Sequence, residues 1–523
     1  MSWNPQDFPP MRDEVHYGSR VVACFRERPR NLYALFQQTV NRAPQAEALV
    51  GAGGRFTWAE VSAEVDRVAG AMSALGVALG DRVVMVMGNR PDFVITLFAL
   101  FRLGAVAVPV SVRSAAAEVG YVIGNTTARL VVHDAALAAL VPDGACPSVA
   151  FGALGQGRGA LPALAALPGE EEVALILHTS GTTGQPKGAM LTHLAQIHAA
   201  MYYEAALGLT AADRAVATVP LNHLTGISGM ICAPVRAGAT LIVMENFRAA
   251  DFLDLAEAER MTFTLMVPAM YNLCLLRPDF AARDLGAWRL AAYGGAPMPE
   301  PTIRQLAEAV PGLRFANCYG ATETVVAPLI TPPDHAIARR DYVGCALPGT
   351  VVRIMDDAGQ EVPPGTEGEI WLAGPTIVPG YWNNADATAK SFVGGFWRSG
   401  DVGMADAEGF VRVLDRAKDM INRGGFKIYS AELENVLADH PLVVEAAAVA
   451  RPCPVLGERV HARVSARGEV SAKALIHWCQ ERLSDYKVPE TLDISDDPLP
   501  RNANGKVDKA AIRAALSAYD RRA

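Results

Sequence analysis

Apolar residues recur at a helical spacing in the first part of the chain. Thr57-Trp-Ala-Glu60 has the form of a capping box, in which a threonine and a glutamate close the first turn of a helix. The apolar residues that follow lie close to the 3.6-residue period: Val61, Val65, Val68, Met72 and Leu75. Gly76 is expected to end this helix, because glycine accepts the left-handed backbone that commonly closes helices.

Short apolar runs alternate with helical segments beyond this point. A strand over residues 83–87, a helix over 91–103 and a strand over 105–108 are predicted. Further short apolar strands are predicted at residues 173–177, 215–219, 239–244, 262–267 and 290–293. Alternation of this kind predicts an α/β fold, in which mostly parallel sheets are flanked by helices.

The character of the sequence changes near residue 350. Strands at 351–355, 368–372 and 410–414 predict a β-rich subdomain over about 350–415. A second change near Lys418 precedes helices and strands that predict a small α+β domain. We therefore expect a large domain over residues 1–417 and a small C-terminal domain over residues 418–523.

The bulk composition narrows the class of protein. Of the 523 residues, 51% are hydrophobic and 20% are charged, as in ordinary globular proteins. The formal net charge is −8 and there is no basic block, so sequence-independent binding of nucleic acid is not expected. Eight scattered cysteines, without a C-x-x-C pair or zinc spacing, predict free thiols in a reducing compartment, and hence a cytoplasmic protein.

Neither a signal peptide nor a transmembrane segment is predicted. Residues 1–30 lack an apolar signal core and are expected to form an arm, either packed on the domain or partly disordered. The most membrane-like run, 93–110, is interrupted by Arg102, Gly104 and Pro109, which favours a buried helix followed by a strand. Peripheral membrane contact and a homo-oligomer are both left open by the sequence.

The stretch Thr179-Ser-Gly-Thr-Thr-Gly-Gln-Pro-Lys-Gly188 follows a predicted strand. Its glycines, hydroxyls and lysine fit a loop whose backbone N–H groups surround a polyanion. It differs from the Walker pattern, because Gly188 and not a hydroxyl residue follows Lys187. The alternative is a solvated surface loop rich in glycine and threonine.

Two further groups follow tight glycine turns. Thr322 and Glu323 come after Gly320, and a hydroxyl beside a carboxylate suits a phosphate oxygen and Mg²⁺ respectively. The alternative for Glu323 is an ordinary loop residue. Asp401 follows Gly400 and fits either a carboxylate that accepts both ribose hydroxyls or an Asx turn.

Several segments resemble, in the same order, the signature motifs of the adenylate-forming superfamily. This superfamily includes acyl-CoA synthetases, aryl-CoA ligases, luciferases and nonribosomal adenylation domains. The segments are Thr179 to Gly188, Tyr319-Gly-Ala-Thr-Glu323, Ser399-Gly-Asp401, Asp415-Arg-Ala-Lys418, Gly424-Gly-Phe-Lys427 and Pro500-Arg-Asn-Ala-Asn-Gly-Lys506. The resemblance covers about residue 32 to the C-terminus and implies a large N-terminal domain and a mobile C-terminal one.

The resemblance implies how MgATP is bound. The β- and γ-phosphates would lie on Thr179, Ser180, Gly181, Thr182, Thr183, Gly184 and Lys187. The adenine and α-phosphate would lie among Gly294, Gly295, Ala296, Pro297, Asn317, Tyr319, Gly320 and Thr322. Asp401 would bind the ribose, Arg416 the ribose or the phosphates, and Glu323 the Mg²⁺ ion.

The C-terminal matches imply a change of domain position during the reaction. Lys418 matches the hinge, and Gly424 and Gly425 would line the passage of the pantetheine arm of CoA. Lys506 matches the catalytic lysine that bridges the substrate carboxylate and the α-phosphate. From the residues alone, the alternative for both Lys418 and Lys506 is an exposed, solvated lysine.

Pro220-Leu-Asn-His-Leu-Thr-Gly226 resembles the segment that forms the acyl pocket. His223 matches a histidine that guides the carboxylate in many relatives, although a structural histidine is the alternative. Asn222 replaces the usual aromatic residue, and the absence of Asp and Glu argues against an amino-acid substrate, because a buried ammonium needs a partner. Room beside Gly226, Gly229 and Gly294-Gly295 is expected to admit a medium-chain, alicyclic or aryl acid.

The expected activity is therefore that of an ATP-dependent acid–CoA ligase acting on a small carboxylic acid. One alternative transfers the acyl group to the phosphopantetheine of a separate carrier protein. Another is a catalytically silent nucleotide-binding homologue, which the presence of Lys506, Glu323 and the loop hydroxyls disfavours. Acylation of Lys506 would remove the charge that adenylation needs and so offers a means of regulation.

Overall fold

The computed structural model describes residues 3–154, 167–179, 186–296, 298–501 and 507–520. The chain divides into two compact units. The first comprises residues 1–352, 371–398 and 407–411, and the second comprises residues 353–370, 399–406 and 412–523. The domain boundary at residue 418 and the mobility of the C-terminal domain stay predictions.

The helices are distributed along the whole of the described chain. The α-helices are α1 (Leu32–Arg42), α2 (Trp58–Ala74), α3 (Pro91–Leu103), α4 (Ala116–Thr126), α5 (Phe151–Leu154), α6 (His193–Leu207), α7 (Ala233–Ala237), α8 (Ala249–Ala258), α9 (Pro268–Leu275), α10 (Glu300–Ala309), α11 (Ala385–Ser391), α12 (Ser430–Ala438), α13 (Ala472–Gln480) and α14 (Lys509–Asp520). A π-helix spans Thr225–Cys232. Short 3₁₀ turns lie at Pro5–Asp7, Ala135–Leu140, Phe280–Ala282, Thr322–Thr324, Pro333–His335 and Asp485–Lys487.

Most of the strands are short, as predicted, although three of those described have ten or eleven residues. They are β1 (Met11–His16), β2 (Arg20–Phe25), β3 (Glu47–Gly51), β4 (Gly54–Thr57), β5 (Arg82–Val86), β6 (Val106–Pro109), β7 (Leu130–His133), β8 (Ser148–Ala150), β9 (Val173–Thr179), β10 (Lys187–Thr192), β11 (Arg214–Ala217), β12 (Thr240–Val243), β13 (Phe263–Met266), β14 (Leu290–Gly294), β15 (Arg314–Tyr319), β16 (Leu329–Ile330), β17 (Gly344–Ala346), β18 (Val351–Met355), β19 (Gly368–Ala373), β20 (Phe392–Val393), β21 (Phe396–Ala405), β22 (Phe410–Arg416), β23 (Ile421–Arg423), β24 (Phe426–Ile428), β25 (Val443–Cys453), β26 (Gly457–Ala466) and β27 (Thr491–Ser495).

The first unit contains a mostly parallel six-stranded sheet and a parallel run of strands that belongs to a mixed fourteen-stranded sheet. The six-stranded sheet has the order β10-β9-β6-β5-β7-β8, in which only β10 runs antiparallel to its neighbour. The fourteen-stranded sheet includes the run β15-β14-β13-β11-β12-β3, in which every neighbouring pair is parallel. The predicted α/β class is therefore confirmed, and the carboxyl ends of parallel strands lie together at the edge where such sheets usually bind ligands.

The second unit has its own sheet and core. Its sheet has the order β24-β23-β26-β25, with β27 parallel to β26. A hydrophobic cluster packs against this sheet, with Leu433 and Leu437 of α12 and Leu475 and Cys479 of α13 all buried. A separate core of this kind is what an α+β domain needs for its stability.

Local signals placed the helices accurately. Thr57 and Glu60 form the predicted capping box of α2, and Val61, Val65, Val68 and Met72 are buried along it. Leu75, the last residue of the apolar series, is the C-cap and is 47% exposed, because the helix closes there and the chain turns at Gly76 with φ +83°. Helix α3 begins at Pro91 and ends before Gly104, whose φ is +65°.

The apolar run 93–110 is a buried helix and strand, as predicted, because α3 carries apolar residues on all sides and is enclosed by the core. Among the described residues, none of the helices has the length and hydropathy needed to cross a membrane.

The described part of the N-terminal arm is an ordered hairpin, β1–β2. Its last residue, Phe25, stacks on His198 of α6 with ring centroids 5.2 Å apart. The Phe25 N–H donates to His198 Nε2 at 3.1 Å, and His198 Nδ1 donates to the Leu194 carbonyl at 2.8 Å. On the same helix, His193 Nδ1 accepts the Leu32 N–H at 3.3 Å. Neutral histidines therefore fix both N-terminal segments to α6.

These histidines predict loss of stability in mild acid. Burial lowers the pKa of His193 to about 3 and that of His198 to about 4, whereas the unfolded side chains titrate near 6.5. Below pH 6.5 the unfolded chain binds protons that the folded chain does not, so stability falls as the pH drops towards 4. At pH 5 each histidine is expected to lower the free energy of unfolding by about 2 kcal/mol.

Thermal denaturation between pH 7.5 and pH 5 tests this expectation. His198→Gln should make the fall in Tm with pH shallower, whereas His477→Gln, at a side chain that is 72% exposed, should leave it unchanged. An equal pH slope in wild type and His198→Gln would show that His198 is not a source of acid sensitivity.

Candidate functional site

The ends of the predicted phosphate loop lie side by side. Thr179 at the end of β9 is paired with Lys187 at the start of β10, and the Thr179 hydroxyl donates to the Lys187 carbonyl at 3.4 Å. The loop residues Ser180, Gly181, Thr182, Thr183 and Gly184 lie outside the described residues. The antiparallel pairing thus holds the lysine at the carboxyl end of β9.

The predicted adenine segments lie on the parallel strands β14 and β15. Gly294 is paired with Cys318, and a Cβ at Gly294 would lie 2.5 Å from the Cys318 carbonyl oxygen, so that only glycine fits there. Gly295 and Ala296 follow as exposed residues, and Pro297 lies outside the described residues. The side chain of Asn317 donates to the Tyr342 carbonyl at 3.2 Å, which gives this residue a structural role within the first unit.

A buried thiol lies directly beside Tyr319. Cys318 is 7% exposed on β15, and burial raises the pKa of its thiol to about 12. It is therefore a neutral thiol at physiological pH.

Glu323 lies in the 3₁₀ turn Thr322–Thr324, which follows the N-cap residue Ala321. Its carboxylate is buried, with the residue 8% exposed, and Oε1 accepts the Tyr381 hydroxyl at 2.8 Å. The Thr324 hydroxyl closes the turn by accepting the Ala321 N–H at 2.9 Å. Thr322 and Glu323 are thus presented together by a rigid turn next to the carboxyl end of β15.

Tyr381 also contacts the phosphate-loop lysine. Lys187 Nζ lies 5.2 Å from the centroid of the Tyr381 ring, within the range of a cation–π interaction. The structure therefore brings Lys187 and Glu323 to one side chain. Tyr381 is not among the residues predicted from the sequence, although Gly380-Tyr-Trp382, an aromatic pair after a glycine, is a visible signal.

The segment expected to form the acyl pocket leads into the π-helix. The His223 carbonyl accepts the Ile227 N–H at 2.9 Å, and the buried Asn222 side chain donates to the Val110 carbonyl at 2.9 Å. The side chain of Asn222 thus connects this segment to Val110, the residue that follows β6. π-Helices are rare and occur frequently at functional sites.

The expected room beside two glycines is absent. A Cβ at Gly226 would lie 2.4 Å from the Pro220 carbonyl oxygen, and one at Gly229 would lie 3.2 Å from Leu265 Cδ1. These glycines serve close packing, and the prediction that they widen the pocket is wrong. Gly294 is equally constrained, whereas Gly295 has only Val267 within 4 Å.

The ribose candidates of the second unit are close together. Arg416 Nε lies 2.7 Å from Asp401 Oδ1, and Asp401 is 3% exposed. The Asp401 N–H donates to the Ser399 hydroxyl at 2.9 Å. The carboxylate therefore faces a guanidinium at ion-pair distance.

The other C-terminal candidates lie on turns. Lys418 is exposed after β22. Gly424 and Gly425 form the two-residue turn between β23 and β24, with φ of +61° and +95°, the geometry of a type I′ hairpin that glycine favours. This turn is a structural reason for the glycine pair that the sequence analysis did not consider. Lys506 lies outside the described residues.

Comparison with known proteins gives a consistent result. The family described as AMP-binding enzyme matches residues 36–382, and the AMP-binding enzyme C-terminal domain matches residues 432–506. A feruloyl-CoA synthase of an Amycolatopsis species is 35% identical over 477 residues, which cover 90% of this chain and 96% of that protein. A long-chain-fatty-acid–CoA ligase of Mycobacterium tuberculosis is 32% identical over 504 residues, which cover 94% and 99%.

A solved structure extends the comparison to the fold. The o-succinylbenzoate coenzyme A synthetase from Bacillus subtilis, in complex with ATP and magnesium ion, superposes with a TM-score of 0.84. It is 29% identical, and the match covers 92% of this chain and 99% of that one. Fold and site together define an adenylate-forming ligase. The chain belongs to the AMP-binding enzyme family, in the branch of acyl- and aryl-CoA ligases, and is an ATP-dependent acid–CoA ligase.

The close packing of Gly226 predicts a cost for any side chain there. Gly226→Ala places a methyl group against the backbone of Pro220 and Leu221, so the segment has to shift, and we expect a loss of about 1–3 kcal/mol of stability. Differential scanning calorimetry measures the change. Gly124→Ala is the control, because it lies in α4 with open space around it and should be neutral or slightly stabilising. Equal Tm values for the two variants would contradict the packing argument.

Proposed function

We propose that this ligase activates an aryl carboxylic acid and transfers it to CoA. The assignment of the nucleotide site rests on one observation: Lys187 and Glu323 both contact the side chain of Tyr381. A lysine beside the carboxyl end of β9 and a buried carboxylate after the carboxyl end of β15, in two different sheets, suit the phosphates of ATP and their metal.

Glu323 has the chemistry of a magnesium ligand. It supplies carboxylate oxygen, the donor that Mg²⁺ prefers, and a rigid turn fixes its position. When bound, Mg²⁺ screens the negative charge of the phosphates. Lys187, with Thr179 and the loop residues between them, binds the β- and γ-phosphates, and Thr322 contacts the α-phosphate.

In the first half-reaction, a carboxylate oxygen of the acid attacks the α-phosphorus of ATP. The new P–O bond forms as the bond to the β-phosphate bridging oxygen breaks, which gives acyl-AMP and pyrophosphate. Lys506 places its positive charge between the two anions, and His223 guides the carboxylate. Alignment and charge neutralisation together are the main sources of rate enhancement in such a step.

In the second half-reaction, the CoA thiolate attacks the acyl carbonyl carbon. The C–S bond forms, the C–O bond to AMP breaks, and acyl-CoA and AMP leave. Rotation about Lys418 removes Lys506 and brings the Gly424–Gly425 turn to the pantetheine arm, while Asp401 and Arg416 hold the ribose.

Three considerations favour an aryl acid. Residues 220–226 contain no acidic side chain, so an ammonium group on the substrate has no partner there. Gly226 and Gly229 are closely packed, and a flat ring needs less width than an alicyclic group. Among the relatives described above, the feruloyl-CoA and o-succinylbenzoate enzymes are named for aromatic acids.

The free, mostly buried cysteines agree with action in the cytoplasm.

Release of pyrophosphate and AMP over a panel of acids tests the proposal. The panel contains benzoic, arylacetic and cinnamic acids, medium-chain fatty acids and cyclohexanecarboxylic acid, each with and without CoA. We expect an aryl acid to give kcat/KM at least about tenfold above the others. A best substrate among the fatty acids would reject the aryl assignment only, and adenylate formation without CoA turnover would favour a carrier protein as acceptor.

Lys506→Ala separates the two half-reactions. We expect adenylation to fall by a factor on the order of 10² or more, while conversion of supplied acyl-AMP and CoA to acyl-CoA persists. Lys473→Ala, which removes an exposed lysine of α13, is the matched control and should retain both steps. Near wild-type adenylation by Lys506→Ala, or equal loss of both steps, would contradict the role of Lys506.

A further inference from the structure

Tyr381 lies between two groups that the proposed function assigns to MgATP. The residue is 6% exposed, and its ring packs in a T-shaped arrangement with that of Phe392, with ring centroids 5.6 Å apart. Its hydroxyl donates to Glu323 Oε1 at 2.8 Å, and the face of its ring lies 5.2 Å from Lys187 Nζ. One side chain therefore contacts both the carboxylate and the ammonium.

Backbone hydrogen bonds fix the segment that carries Tyr381, residues 378–382. The Val378 N–H donates to the Glu323 carbonyl at 3.0 Å. The Gly380 carbonyl accepts the Met190 N–H at 3.1 Å, and the Trp382 N–H donates to the Gly188 carbonyl at 2.7 Å. The segment is thus tied to the turn that holds Glu323 and to β10, which begins at Lys187. The same backbone hydrogen bonds therefore fix the position of Tyr381 relative to Glu323 and Lys187.

The hydroxyl is a donor that lies within the core. Tyr381 is 6% exposed, and its O–H group donates to Glu323 Oε1 at 2.8 Å. A hydrogen bond to an ionised acceptor is stronger than one between neutral groups, and it restricts the rotamer of the carboxylate. A ring face beside an ammonium similarly restricts the position of a long, flexible lysine side chain.

We propose that Tyr381 is a positioning residue for adenylation: its hydroxyl orients Glu323 towards the metal, and its ring holds Lys187 towards the β- and γ-phosphates. The inference rests on the roles proposed above for Glu323 and Lys187. It assigns to Tyr381 no contact with substrate and no part in proton transfer.

Two substitutions separate the two contacts. Y381F keeps the ring beside Lys187 and removes the donor to Glu323. Y381Q keeps an N–H donor and removes the ring. Y271F is the matched control, because it also deletes a buried tyrosine hydroxyl, which donates to the Ala292 carbonyl at 2.6 Å, but Tyr271 contacts neither Lys187 nor Glu323 among the contacts described.

Binding, and not turnover, is the primary readout. The affinities for α,β-methylene-ATP over a range of Mg²⁺ concentrations, and for AMP without metal, are measured by calorimetry. For Y381F we expect about tenfold weaker binding of the ATP analogue and a higher half-saturating Mg²⁺ concentration, with AMP affinity unchanged. For Y381Q we expect weaker binding of the analogue at every Mg²⁺ concentration. Y271F should lower Tm only.

A double-mutant cycle with E323Q distinguishes this inference from the proposed function. If E323Q does not alter the Mg²⁺ dependence, the role of Glu323 in the proposed function is wrong. If E323Q does alter it and Y381F does not, the inference about Tyr381 is wrong and the proposed function stands. We expect Y381F to add little in the E323Q background, because the hydroxyl acts through Glu323. Equal weakening of AMP and of the ATP analogue by both Tyr381 variants would indicate a merely structural role and overturn the proposal.

Discussion

A carboxylate that is buried next to a parallel sheet needs a fixed donor, and this requirement organises the N-terminal site. Glu323 meets it through the Tyr381 hydroxyl. For that contact to form, residues 378–382 have to lie against the turn after β15. The backbone of this segment also forms hydrogen bonds with β10. The strand that begins with Lys187 is thereby tied to the turn that carries Thr322 and Glu323. The proposed nucleotide site is thus held by one connected set of hydrogen bonds within the first unit.

The N-terminal hairpin is integrated by a different means. Two buried histidines of α6 accept backbone N–H groups from Phe25 and Leu32. A neutral imidazole offers one donor and one acceptor, so His198 can join a backbone amide to a helix carbonyl without placing a charge in the core. The segments before the region that matches the family are therefore part of the folded unit.

Most of the fold could be predicted from the sequence, because its signals are local. A capping box, a first-turn proline and a terminal glycine lie within the helix that they delimit, as α2 and α3 show. The family, too, followed from short motifs. Contacts between distant segments were not accessible: Tyr381 and Glu323 are 58 residues apart, and only the fold joins them. Gly226 was misinterpreted because a glycine that makes room and a glycine that permits close packing look alike in a sequence. The roles of Lys418 and Lys506 stay predictions, since one is an exposed lysine and the other lies outside the described residues.

The thiol of Cys318 has a consequence for the fidelity of the enzyme. Acyl-adenylates are strong acylating agents, and free thiols are potential competitors for the acyl group. Because burial keeps Cys318 in the neutral thiol form, it is a poor nucleophile and remains enclosed in the core of β15. A thiol in this state reacts poorly with an acylating agent, so the core protects one of the chain's own sulfur atoms while the thiol of CoA serves as the acceptor.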